Sequence, residues 1–170
     1  MLFTLKLKHI NGFTFLELLI IISITGIISL ISYPYLNTLK KDYILYKETS
    51  DLLMRLQNAR DIAIRDNCVI NAVFKTSESK YIIFEDTNND NSFNTGDRKI
   101  IEHILHSDAY MYEASFGTGQ NQTKFDQRGS SSHLGHVYFK NSGGKYKGIV
   151  VRSLAGNIVI KSSHDGKTWN

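Results

Sequence analysis

The segment Phe13–Tyr33, FTFLELLIIISITGIISLISY, constrains this chain more than any other: its 21 residues carry one charge, Glu17. A helix of that length spans about 30 Å, the thickness of a bilayer's hydrocarbon core. Before it stands MLFTLKLKHING, basic through Lys6 and Lys8 and closed by Gly12. Positive charge ahead of an apolar span holds that end in the cytoplasm, so everything after Pro34 is expected across the membrane. A secretory signal would have a shorter apolar core and a small-residue cleavage site after it. No such punctuation follows Tyr33. Two readings compete: a plain membrane anchor, and a segment cut on its N-terminal side that keeps its apolar run.

Glu17 separates them. A carboxylate in an apolar helix costs about 2–3 kcal/mol at the bilayer centre. The cost falls near a helix N-terminus, where the dipole favours negative charge. It falls further beside a cation. Cleavage after Gly12 would create one, the free α-amino group of Phe13, in the same chain or a neighbouring one.

The run Gly12-Phe13-Thr14-Phe15-Leu16-Glu17-Leu18-Leu19-Ile20 resembles the class III signal, G-F-T-L-x-E, of type IV pilins and type II secretion pseudopilins. Phe15 stands where Leu is common. The resemblance implies cleavage between Gly12 and Phe13 by prepilin peptidase and N-methylation of Phe13. It also implies that Glu17 pairs with a neighbouring subunit's N-terminus during assembly. Gly26 and Pro34 weaken a helix by about 1 and 3 kcal/mol respectively. They are the expected weak points: the matching stretch of pilins loses helicity in the filament, and a simple kink at Pro34 is the alternative.

From Tyr35 to Asn67 the pattern is helical. Leu45, Leu52, Leu56, Ala59 and Ala63 share one face, with Leu53 and Ile64 beside it. Lys41, Asp42, Lys47, Glu48, Arg55 and Arg65 are expected on the other. A striped helix must pack on something. Strands are expected at residues 68–74, 81–84, 99–105, 110–116, 137–139, 148–152 and 157–160. Turn-rich clusters separate them, among them Thr87–Gly96 and Gly117–Gln122. The expected fold class is α+β, with a long N-terminal helix (membrane half plus amphipathic half) packed on a C-terminal antiparallel β domain, pilin-like. The segments read as a leader peptide at 1–12, an assembly helix at 13–34, an amphipathic helix at 35–67 and a globular domain at 68–170.

Three further stretches resemble the GspH/FimT family of minor pseudopilins: Leu56–Arg65 its helix end, Phe84–Asp90 with Gly96-Asp97 its acidic hairpin loop, and Phe125–Gly129 its F-x-x-x-G strand end. Members often close with a Gly-Arg-x-Arg strand, linked in competence pilins to DNA binding. Here the stretch reads Ala155-Gly156-Asn157-Ile158, keeping the glycine and lacking both arginines.

Charge is segregated. Residues 120–170 are net +6, and residues 13–119 are net −4. Lys140, Lys145, Lys147, Arg152, Lys161 and Lys167 are the candidate contacts to a phosphate backbone, against the alternative of an ordinary solvated surface. Asp86, Asn88, Asp90 and Asp97 occupy positions 1, 3, 5 and 12 of a calcium loop, with Asn91 in place of the usual glycine. The alternative is a solvated hairpin tip. His103-x-x-His106 and His133-x-x-His136 lack an acidic or cysteine ligand at a matching spacing and read as surface histidines. Cys68 has no base partner and reads as a small buried residue. Ser130–Ser132 lacks a nucleophile elbow. No catalytic constellation emerges.

The expectation is a non-enzymatic minor pilin or pseudopilin of a type IV pilus or type II secretion filament. It would be single-pass in the bacterial inner membrane with a periplasmic domain. Its partners would be prepilin peptidase and other pilins, and no cofactor beyond the calcium candidate is called for. The alternative is a competence pilin holding DNA.

Overall fold

The computed structural model describes residues 12–169, so all but the last residue of the expected leader lies outside the described residues. The chain divides into two compact units, residues 1–38 and 39–170. Helix α1 (Phe15–Arg65) contributes to both. The described part of the first unit is helix from Phe15 onward, continuous through Gly26 and Pro34.

The second unit combines residues 39–65 of α1 with eight strands. These are β1 (Ile70–Lys75), β2 (Lys80–Glu85), β3 (Arg98–Ile104), β4 (Ala109–Phe116), β5 (Gln122–Phe125), β6 (Gly135–Asn141), β7 (Tyr146–Val151) and β8 (Ile158–Ser163). They form two four-stranded sheets, β3-β2-β1-β5 and β4-β6-β7-β8, with every pairing antiparallel. One core joins the helix and both sheets. Leu52, Leu56, Ala59 and Ala63 of α1 meet Ile70, Ala72 and Phe74 of β1 and Val137, Phe139 and Ile149 of the second sheet. Across the two sheets Phe74 stacks on Phe116, with ring centres 5.5 Å apart.

The expected strands are present, with their ends displaced by at most three residues. One more exists. Gln122–Phe125 opens in what reads as a turn cluster, yet it pairs with β1 from Ile70↔Phe125 to Val73↔Gln122. A partner some fifty residues away makes it a strand, and no local propensity announces that. A second correction concerns α1. Glu48, expected on the solvent face, is buried. His103 Nε2 lies 2.8 Å from its Oε2, and the His106 amide donates to its Oε1 at 3.2 Å. Asp42 is likewise half-buried, accepting from Asn141 Nδ2 at 2.8 Å. The same Asn141 takes the amides of Gly143 and Lys145 at its Oδ1, shaping the β6–β7 turn. A turn residue thus also tethers the helix.

Three separately read stretches converge. Arg60 Nε donates to the Gly129 carbonyl at 2.9 Å. Gly156, at φ +76°, leaves so little room that an added Cβ would stand 2.7 Å from Arg60 Nε and 2.8 Å from the Gly129 carbonyl oxygen. The glycine retained in the last strand's approach therefore serves packing, because only a residue without Cβ fits that turn.

Candidate functional site

The start of α1 is built by two side chains. Thr14 is the N-cap: its carbonyl accepts the first helical bond, from the Leu18 amide at 3.1 Å. Its hydroxyl accepts from the Glu17 amide at 3.2 Å, and the Glu17 carboxylate accepts from the Thr14 amide at 3.4 Å. This reciprocal pair is a capping box, which satisfies two of the amides that every helix start leaves unpaired. The signal is local in the sequence, as the spacing Thr14-x-x-Glu17. Glu17 therefore has a local task independent of any neighbour. Gly12 and Phe13 lie outside the helix, both exposed.

Beyond the cap, α1 presents apolar surface on every side. Leu16 is 69% exposed, Ile22 62% and Leu30 78%. The polar side chains add little polarity. Ser23, Thr25, Ser29 and Ser32 turn their hydroxyls back onto carbonyls four residues earlier, at 2.7–2.9 Å. Such back-bonding lets serine and threonine sit in an apolar environment without an unpaired donor. An added Cβ at Gly26 would meet nothing within 4 Å, so the helix surface there is open. Pro34 lacks an amide, which removes the usual donor to the Leu30 carbonyl. Among the described residues, α1 is the one helix long and apolar enough to cross a membrane. Among the described residues, no part of its apolar window is buried.

The prokaryotic N-terminal methylation motif matches residues 7–33, and the model for type II transport protein GspH matches residues 48–156. The chain belongs to the GspH family. The family match runs from the amphipathic part of α1 to Gly156, covering the Arg60–Gly129–Gly156 junction. Two solved structures share the fold. The minor pseudopilin EpsH of the Vibrio cholerae type 2 secretion system is 10% identical, with a TM-score of 0.53 over 69% of this chain and 96% of its own. The type IV minor pilin FimU of Pseudomonas aeruginosa is 14% identical, with a TM-score of 0.54 over 74% of this chain and 92% of its own. No curated protein sequence matches.

The candidate DNA contacts of this GspH-family chain do not form one free basic stripe. Lys145 pairs with Asp42 at 3.8 Å, and Lys147 lies 5.3 Å from the Tyr46 ring centre. Lys140 sits 5.0 Å from the ring centre of Tyr110, and Lys161 donates to the Trp169 carbonyl at 3.0 Å. Arg152 and Lys167 are exposed. The comparisons lend the DNA reading no support.

The acidic hairpin loop is an ordered network. Asp86 is buried, and its Oδ2 accepts from the Asn91 amide at 3.1 Å. Asp90 Oδ2 accepts from the side-chain amides of Asn88 and Asn94 at 2.8 and 2.7 Å. Asp97 takes the Asn94 amide at 2.9 Å and the Thr87 amide at 3.2 Å. Those two amides, Asn94 first, hold the Asp97 carboxyl below the usual carboxylate range. Among the described residues no three His, Cys, Asp or Glu side chains gather as a preformed metal cluster. The histidine pairs serve elsewhere: His103 faces Glu48, and His136 Nε2 lies 3.1 Å from Glu113 Oε1. Cys68 is half-buried, and burial pushes its thiol up from the ordinary value.

Proposed function

We infer that this chain enters a type II secretion filament or a type IV pilus as a minor subunit, through the segment Phe13–Tyr33. The carrying observation is an apolar helix start bare on all sides, headed by the Thr14–Glu17 cap and lying within the methylation-motif match. Bare apolar surface of this extent requires lipid, a second subunit, or each in turn. Prepilin peptidase would cut between Gly12 and Phe13, and methylation would follow on the Phe13 amine. The helix would rest in the inner membrane before assembly, with the globular part on the periplasmic side. The family described as type II transport proteins favours the secretion filament over the pilus.

Mass spectrometry of the mature protein is expected to find N-methylated Phe13 as its first residue. An intact Met1 would overturn the reading. Glu17 carries the sharper test. Glu17→Gln keeps a residue able to close the capping box, so membrane insertion and helix content should not change. It removes the charge that a neighbouring α-amino group would need. Leaving such a group unpaired costs about 3–5 kcal/mol, so incorporation into the filament should fall about a hundredfold or more. Normal incorporation of Glu17→Gln would show that Glu17 acts only as a cap.

A further inference from the structure

We propose that the hairpin loop Asp86–Asp97 is a calcium site, with Asp86, Asn88, Asp90 and Asp97 as side-chain ligands and the Ser92 carbonyl as a fifth.

Asp86 is its anchor. The residue is 3% exposed, and its Oδ1 is buried without a hydrogen-bond partner. Its other oxygen accepts the Asn91 amide from the middle of the loop, so the carboxylate is turned into the loop. A buried carboxylate oxygen with no donor is costly, and a cation held by the loop would satisfy it.

Charge points the same way. Asp86, Asp90 and Asp97 crowd into twelve residues, and among the described residues none of the three is in an ion pair. Lys124, which reaches this loop, spends its ammonium on Asn91 Oδ1 at 2.8 Å.

The backbone at Asn91 supplies the turn that such a loop needs. A twelve-residue calcium loop needs a sharp turn at its sixth position, where glycine is usual. Asn91 holds that position at φ +62°, the left-handed conformation that asparagine tolerates best after glycine. The fifth-position amide, on Asp90, already donates to Asn88 Oδ1 at 3.1 Å. Each carboxylate has about four lone-pair sites, so Asp90 and Asp97 retain acceptor capacity beyond their present bonds. Binding would draw these two inward around Asp86.

The donor set contains only oxygens, which selects a hard cation. An irregular loop with backbone and carboxylate ligands suits calcium's larger, flexible shell rather than the strict octahedron of magnesium. Asp97 is shorter than the usual last glutamate, which places the affinity in the weak range of extracellular modules, about 10⁻⁴–10⁻³ M.

The test uses the full chain in detergent micelles, titrated with calcium chloride and, separately, with magnesium chloride, by calorimetry and thermal unfolding. At about 10 mM calcium the Tm should rise by about 3–6 °C, reversed by a chelator. Asp90→Asn, at an exposed position, should fold normally and lose most of that shift; Asp86→Asn should lose all of it. No heat and no Tm change in the wild-type chain would overturn the site. So would an equal shift in Asp90→Asn. An equal response to magnesium would overturn the assignment to calcium.

Discussion

Residues 15–38 and residues 39–65 belong to one helix, yet they treat the same residue type in opposite ways. Leu16 and Leu30 are 69% and 78% exposed, whereas Leu52 and Leu56 are 0% exposed. The sequence difference is one of pattern. The first stretch is apolar all round, and no single face is marked for a partner. The second carries a stripe whose opposite side is charged, and the stripe is filled by two sheets of the same chain. An apolar side chain is stabilised by whatever removes it from water. For the second stretch that is the fold itself. For the first, no described residue supplies it.

The contrast predicts unequal consequences for equal changes. Leu56→Ala should destabilise the globular part by about 2–5 kcal/mol, because a fully buried leucine leaves a cavity. Leu30→Ala should leave its unfolding midpoint unchanged and act, if anywhere, on membrane retention or assembly. Denaturant titration of both variants checks the pair; an equal loss would mean that the first stretch also contributes to the core. Gly156→Ala should cost about 1–3 kcal/mol, since a Cβ there meets Arg60 and the Gly129 carbonyl at a positive φ. Arg60→Ala should relieve part of that cost in the double variant, which a double-mutant cycle would reveal.

Glu48→Ala tests the exception on the buried face. It should leave the His106 amide and the His103 ring without their partner and cost about 1–3 kcal/mol, whereas Lys47→Ala, one residue away and exposed, should cost almost nothing. The smallest effect is expected away from the helix. Asp97 is held below the ordinary carboxylate range by the Asn94 and Thr87 amides. The stability it contributes is complete above the unfolded value near about 4 and is lost as pH falls through the lower folded value. Protection of those two amides, taken relative to the intrinsic exchange rate at each pH, should therefore fall as pH drops below about 4.

Features set by neighbours along the chain were legible; those set by distant residues were not. The stripe from Leu45 to Ala63 follows helical spacing and is buried as expected. Most strands announced themselves through β-branched and aromatic runs. The Thr14 cap belongs with the local features, since its spacing to Glu17 is readable from the sequence alone. The strand Gln122–Phe125 and the burial of Glu48 had no local signal. The first depends on pairing with Ile70–Val73, and the second on His103 and His106 arriving from another strand and its following turn.

The sequence by itself determined the pattern ahead of the apolar run: Gly12, Phe13 and Glu17 at fixed spacing, which needs no fold to be read. It also determined that the helix changes character after Pro34. Only the tertiary structure decided which polar residues are interior and why position 156 is a glycine. Only there do Arg60, Gly129 and Gly156 share one junction, and only there does Asp86 stand buried with an oxygen facing no donor. The physical reason is that charge and hydropathy act along the chain, whereas burial is a property of what the fold brings alongside.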